Sequence, residues 1–185
     1  MTPLDAAIIL ATWAHSNQLD EDGSPHILHS LAVAAAVMTV ELPEGYTRGD
    51  LIIAAILHDV VEDGGVTIED IRASFGMKVA SIVDAVSRRI NVDGTKESYR
   101  DFIYRAKKHP AGRIIKLADL HHNMSRTHLI GDDKEKWRKK LEYKYAIAER
   151  VLNNTDEPTW EAASREWIDG KTFVADPNGK RIQET

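Results

Sequence analysis

Residues 48–61 read Arg48-Gly49-Asp50-Leu51-Ile52-Ile53-Ala54-Ala55-Ile56-Leu57-His58-Asp59-Val60-Val61, and Glu62-Asp63-Gly64-Gly65 follow. The stretch is apolar nearly all round. That pattern belongs to a helix buried at the centre of a bundle and not to one lying on a surface. A His-Asp pair near the C-terminal end of such a helix is costly to bury unless it has partners. If the helix continues, Glu62 and Asp63 stack one turn beyond His58 and Asp59. Four titratable groups so close repel one another unless a cation holds them.

Working outward, the pattern stays helical. Thr2-Pro3-Leu4-Asp5 supplies an N-cap, a proline at N1 and an acidic first turn for a helix to about Asn17. Residues 18–25 are polar with Gly23 and Pro25, a loop. His29–Val40 is an apolar helix. Thr67-Ile68-Glu69-Asp70 resembles a capping box opening a short helix, and Gly76–Arg88 continues with a 3.6-residue period. Further helices are expected from Thr95 to Lys108, from Ala111 to Thr127, from Gly131 to Asn153 and over Pro158–Ile168. No convincing strand alternation is seen, and an extended or mobile tail is expected from Asp169. The fold class is all-α, a single helical bundle of about seven to nine helices over residues 1–155, with a short helix and tail over residues 156–185.

The chain has 185 residues, enough for one domain with room for a tail. No apolar run is long enough to span a membrane, and the N-terminus lacks a secretory pattern. With no cysteine, disulfides, thiolate metal sites and a Cys nucleophile are excluded, whereas eight histidines are present. These features point to a cytoplasmic protein whose metal site, if any, uses His, carboxylate and water. The net charge of −5 argues against a nucleic-acid partner. The charge is polarised, however. Residues 1–87 are strongly acidic, while residues 88–116 hold nine basic against three acidic residues. Such a block reads as a solvated helix face or as the lining of a pocket for a small polyanion.

Two further segments join His58-Asp59. His29 starts a small apolar helix, and Asp119 interrupts Ile114-Ile115-Lys116-Leu117-Ala118, with Asn123 four residues on. A set of imidazole and carboxylate donors in this order suits Mn²⁺, Fe²⁺, Zn²⁺ or Mg²⁺. A divalent ion so held lowers the pKa of water and polarises a phosphoryl oxygen, which supports phosphoester or phosphoanhydride hydrolysis. Other residues have plainer readings. Arg88 and Arg89 suit a helix C-terminus, Lys116 snorkels from a helix side, His15 and Gln18 are structural, and His109, His121 and His128 lie on the surface.

The segments Ala14-His15-Ser16-Asn17-Gln18, Gly23-Ser24-Pro25-His26-Ile27-Leu28-His29, Leu57–Asp63, Phe75-Gly76, Ile82–Val86, and Lys116–Asp119 with His122-Asn123-Met124 resemble the HD-domain phosphohydrolase superfamily. Within it they are most similar to the hydrolase domain of RelA/SpoT homologues and the stand-alone small alarmone hydrolases. The resemblance covers roughly residues 4–150. It implies one Mn²⁺ held by His29, His58, Asp59 and Asp119, with Glu62 and Asp63 positioning and activating the attacking water. It implies removal of the 3′-pyrophosphate from (p)ppGpp, and it implies that Asn123, Tyr99 and Arg105 face the nucleotide. Arg88, Lys116, Arg105 and Arg126 are expected to offset phosphate charge. The expected partner is a small nucleotide, with no membrane and no nucleic acid, and the oligomeric state is left open. No synthetase segment is expected in the chain.

The sequence departs from the family pattern where relatives read substrate. An Arg-Lys pair is replaced by Asp20 and Glu21, a Tyr by His26, and an Arg after the last Asp by Leu120. The acidic pair is expected to accept a hydrogen bond from an exocyclic amino group, which admits adenosine alarmones, (p)ppApp, beside guanosine ones. Two alternatives are a 5′-nucleotidase of the same superfamily and a nucleotide-sensing module without activity.

Overall fold

The computed structural model describes residues 1–20, 22–154, 159–168 and 171–184. Nine α-helices are found among them: α1 (Pro3–Ala14), α2 (Ile27–Ala36), α3 (Arg48–Ile56), α4 (Val60–Asp63), α5 (Ile68–Val86), α6 (Tyr99–Lys108), α7 (Pro110–Ser125), α8 (Glu135–Asn153) and α9 (Trp160–Ser164). Local sequence dictates most of the starts. Thr2, Thr47 and Thr67 each form a capping box with an aspartate three residues on, and Ser98 caps α6. His109 accepts the Gly112 N–H and caps α7, so it is a half-buried structural residue and not the surface group expected. Gly76, with φ of 86°, kinks α5 at the boundary where the sequence separates two helices.

The central helix is not continuous. It ends at Ile56, and α4 starts only at Val60. His58 Nδ1 donates to the Ala55 carbonyl at 2.8 Å, taking the acceptor that the Asp59 N–H would use in an unbroken helix. The His-Asp pair therefore sits in a turn between two helices, and Asp59 opens the second of them: the Asp63 N–H bonds the Asp59 carbonyl at 3.1 Å, one turn on. Gly64 closes α4 against α1. A Cβ there would meet the Ala14 Cβ at 2.5 Å and the Val60 carbonyl at 2.7 Å, so only glycine permits this approach.

Two apolar cores result. The first gathers α1, α2, α3, α5 and the N-terminal half of α7, with Leu51, Ile56, Ile71, Ile82 and Ile115 fully buried. The second gathers α6, α8, α9 and the next turn of α7, with Phe102, Leu120, Ile147 and Trp160 fully buried. Each such side chain contributes about 1.5–3 kcal/mol of burial.

The C-terminal segment corrects the expectation of a helix to Ile168 and a loose tail. Helix α9 is short, and an antiparallel sheet follows in the order β1 (Glu166–Ile168), β2 (Lys171–Ala175), β3 (Arg181–Gln183). Phe173 pairs with Glu166 on one side and Gln183 on the other. The turn between β2 and β3 is tight. Asp176 Oδ1 accepts the N–H groups of Asn178 and Lys180, and Gly179 takes φ of 79°. That turn also docks on α6: the Pro177 carbonyl accepts the Arg100 N–H at 2.8 Å and Asn178 Oδ1 accepts the Tyr99 N–H at 3.3 Å. The strands are short and carry no apolar/polar alternation, because tertiary anchoring, not periodicity, holds them.

Candidate metal centre and anion pocket

Two helices and one turn bring the expected donors together. His29 comes from the first turn of α2, His58 and Asp59 from the turn after α3, and Asp119 from α7, where the two cores meet. His29 Nε2 lies 3.1 Å from His58 Nε2 and 3.3 Å from Asp119 Oδ1. Asp59 Oδ2 lies 3.1 Å from His58 Nε2 and 3.6 Å from His29 Nε2. His29, His58 and Asp119 are all buried. Two imidazole nitrogens that face each other beside two carboxylates form a donor set for a cation. The Nδ1 bond of His58 to a backbone carbonyl fixes the tautomer that leaves Nε2 a lone pair, and His29 Nδ1 is tied to His122 Nδ1 at 2.8 Å. The residues present thus fit a divalent ion.

The two carboxylates draw positive charge to this cluster. Burial opposes charge on His58, yet Asp59 and Asp119 outweigh it and raise its pKa to about 10. Burial alone would push the Asp119 carboxyl up, but Lys116, His29 and His58 hold it well below the usual range. Lys116 Nζ reaches Asp119 Oδ2 at 2.6 Å and stacks 4.8 Å over the Phe102 ring, while Asn123 donates to Asp119 Oδ1 at 2.6 Å.

Beside the cluster lies a cavity of about 260 Å³, lined among others by Glu62, Arg88, Tyr99, Lys116, Asn123, Lys144 and Tyr145. Glu62 Oε1 accepts the Arg88 N–H at 2.9 Å, which aims its carboxylate at the cavity wall. A second cavity of about 120 Å³ shares Asn123 and Tyr145 with the first and is lined also by Asp20, Asp22, Arg126, Leu129, Ile130 and Leu141. Here Arg126 is clamped, with Asp20 at 2.5 Å and Asp22 at 2.7 Å.

The structure does not bring every expected residue to the pocket. Arg105 turns away: it pairs with Glu97 at 2.6 Å and donates to the Asp84 and Ser87 carbonyls, bracing the end of α5. The Arg88 guanidinium is bonded to the Glu97 carbonyl, so it stands on the cavity wall in a fixed pose. Asp63 is exposed at the end of α4, outside the cavity lining. Tyr99 is buried and forms the cavity wall. Glu21 lies outside the described residues. His121 and His128 are exposed, as expected, and buried His15 bonds Gln18 at 2.6 Å.

Sequence reasoning missed Lys144. Its Nζ sits 3.9 Å over the Tyr99 ring in the cavity, and burial together with Arg88 and Lys116 lowers its pKa to about 8. It lies in a lysine-rich helix where no local signal distinguishes it from solvated neighbours.

A helical bundle carrying a His/Asp donor cluster under a cationic pocket defines a class of metal-dependent domains. The HD domain profile matches residues 7–144, and the chain belongs to the HD domain family. It is 34% identical over 134 residues to the guanosine-3′,5′-bis(diphosphate) 3′-pyrophosphohydrolase of Haemophilus influenzae, covering 69% of this chain and 19% of that protein. It is 32% identical over 156 residues to the bifunctional (p)ppGpp synthase/hydrolase SpoT of Escherichia coli K12, covering 80% of this chain and 22% of that one. The chain thus spans about a fifth of the length of these curated relatives. Among solved structures, a metazoan orthologue of SpoT described as hydrolyzing ppGpp superposes with a TM-score of 0.67 at 24% identity, over 89% of this chain and 90% of that one. That likeness establishes the fold. No helix among the described residues is long and apolar enough to cross a membrane.

Proposed function

We propose that the chain is a cytoplasmic, metal-dependent pyrophosphohydrolase of alarmone nucleotides. It removes the 3′-pyrophosphate of (p)ppGpp or of the adenosine analogues (p)ppApp. The observation that carries this reading is the junction of a buried His/Asp donor cluster with a cavity walled by Arg88, Lys116 and Lys144. A diphosphate ester carries about three negative charges near neutral pH against about two on a phosphomonoester, and the cations along this wall offset that larger charge. The names of the relatives support the same substrate class.

In this reading residues 1–155 form the catalytic unit and residues 156–185 brace it. His29, His58, Asp59 and Asp119 hold the ion, Mn²⁺ first among the divalent ions that N and O donors suit. That ion lowers the pKa of water and polarises a phosphoryl oxygen when bound. Glu62, aimed by the Arg88 N–H, accepts the proton of the attacking water. Water adds to the phosphorus attached at the 3′ oxygen, the P–O3′ bond breaks, and the 3′ oxygen leaves with a proton as pyrophosphate is released. Arg88 and Lys144 hold the departing pyrophosphate. Lys116, already tied to Asp119, spans donor cluster and substrate. Asn123, lining both cavities, sits where the ribose crosses between them.

The test is product analysis. The chain, stripped of metal and then given Mn²⁺, is incubated with ppGpp, pppGpp, ppApp, pppApp and 5′-mononucleotides. The expected products are pyrophosphate and the matching nucleoside 5′-di- or triphosphate, lost on chelation. Orthophosphate released from mononucleotides alone overturns the reading in favour of a 5′-nucleotidase.

A further inference from the structure

Two of the positions that depart from the family pattern, Asp20 and His26, are bonded to each other. His26 Nδ1 lies 2.7 Å from Asp20 Oδ1. Its other nitrogen, Nε2, faces Asp59 Oδ2 at 3.2 Å. The same oxygen is met by His58 Nε2 at 3.1 Å and by His29 Nε2 at 3.6 Å. Three imidazoles therefore aim the same type of nitrogen at one carboxylate oxygen. Neighbouring donors on a six-coordinate ion with bonds of about 2.1 Å lie about 3 Å apart. The His26 spacing falls between those of the two histidines already assigned. His26, His29 and Asp59 also form a donor trio of their own, with all three atoms within 4.8 Å of one another.

The surroundings of His26 are those of a ligand. Its side chain is only 18% exposed. A metal-ligating histidine almost always gives its second nitrogen to a carboxylate or carbonyl, which fixes the ring and raises its basicity. Asp20 does this here and is itself fixed by Arg126 at 2.5 Å. Both Asp20 oxygens are so engaged, which leaves the residue ill placed to read a nucleobase.

We propose that His26 is a further protein ligand of the divalent ion, through Nε2, and that Asp20 is its positioning carboxylate. The acid that replaces a basic residue in this loop then serves the metal centre. A third imidazole favours ions that prefer nitrogen and disfavours Mg²⁺. The proposal rests on the metal reading of His29, His58, Asp59 and Asp119.

The experiment needs no nucleotide. The full chain, stripped of metal, is titrated with Co²⁺ while its visible absorption band is followed, and folding of each variant is checked by circular dichroism. His26→Gln and His26→Tyr are compared with Asp20→Asn and His29→Ala. Tyr is the residue of the family pattern, so the pair supplies a folded test even where Gln is not tolerated. Loss of Co²⁺ affinity by tenfold or more with an altered band is expected for the His26 variants. For Asp20→Asn a loss of about 10–100-fold with the band retained is expected. His26 variants that bind within twofold of the parent, with the same band, overturn the proposal. If His29→Ala also binds like the parent, the metal reading itself fails.

Discussion

Glu62 and Lys144 show how single side chains acquire roles from their surroundings. Glu62 is aimed by the Arg88 N–H on Oε1, with Lys96 Nζ 3.7 Å from Oε2. Replacing Glu62 by Gln keeps the Arg88 bond and, in the proposed mechanism, removes the proton acceptor, so turnover is expected to fall about 10²–10⁴-fold. Metal content stays unchanged, because Glu62 is not among the donors, and atomic emission on the purified variant checks this. Lys144 is a cation held against other cations. Its pKa of about 8 lies below the ordinary lysine value, so between the two the folded chain binds fewer protons than the unfolded one. Stability therefore rises with pH across that interval. Lys144→Gln flattens the rise in melting scans and raises Tm at neutral pH. In the proposed reading it is also expected to raise KM while leaving kcat nearly intact, and to abolish the weakening of substrate binding expected of the parent above about pH 8.

At the scale of elements, the α5–α6 junction depends on Arg105. Its guanidinium ties Glu97 to two backbone carbonyls at the end of α5. Arg105→Met takes the guanidinium from the Asp84 and Ser87 carbonyls and from Glu97 and costs about 1.5–3 kcal/mol in urea denaturation. Burial alone would raise the Glu97 pKa, but Arg105 and the Arg89 N–H hold it lower. Its contribution is complete above the ordinary glutamate value and fades as pH falls through the depressed one, so the parent loses this increment in acid and the variant, left with the Arg89 N–H alone, loses less. The element scale also shows what the sequence makes legible. Helix starts and the His/Asp segments that converge are written locally, in Thr-x-x-Asp boxes and in short motifs, so they are readable in sequence. The break at Leu57–Asp59 was not, because it arises from a His58 side chain competing for the Ala55 carbonyl inside an unbroken apolar run. Arg105 looked like a phosphate ligand because charge alone cannot tell whether a guanidinium faces a pocket or a helix end. Lys144 and the C-terminal sheet depend on contacts between distant residues, and no window of sequence contains them.

Across the whole molecule, the C-terminal segment supports the pocket from behind. Trp160 is fully buried, donates to the Asp176 carbonyl at 2.8 Å and meets the Tyr99 ring edge-on at 6.0 Å. Tyr99 in turn carries Lys144 on its face. Trp160→Ala is expected to destabilise by about 3–5 kcal/mol. Where the variant remains folded, KM rises, which steady-state kinetics at low temperature will detect; an unchanged KM separates the sheet from the pocket.

The two apolar cores meet along α7, with Ile115 in one, Leu120 in the other and Asp119 between them. The anion pocket straddles that line: Glu62 and Arg88 belong to one side, Lys144 and Tyr145 to the other. Whatever occupies the pocket grips both halves at once, as a rivet joins two plates. Its binding energy is then shared by amides far from any contact with it. Hydrogen exchange in α3 and in α8 slows together when the pocket fills, and in the empty protein the two plates are free to loosen one at a time.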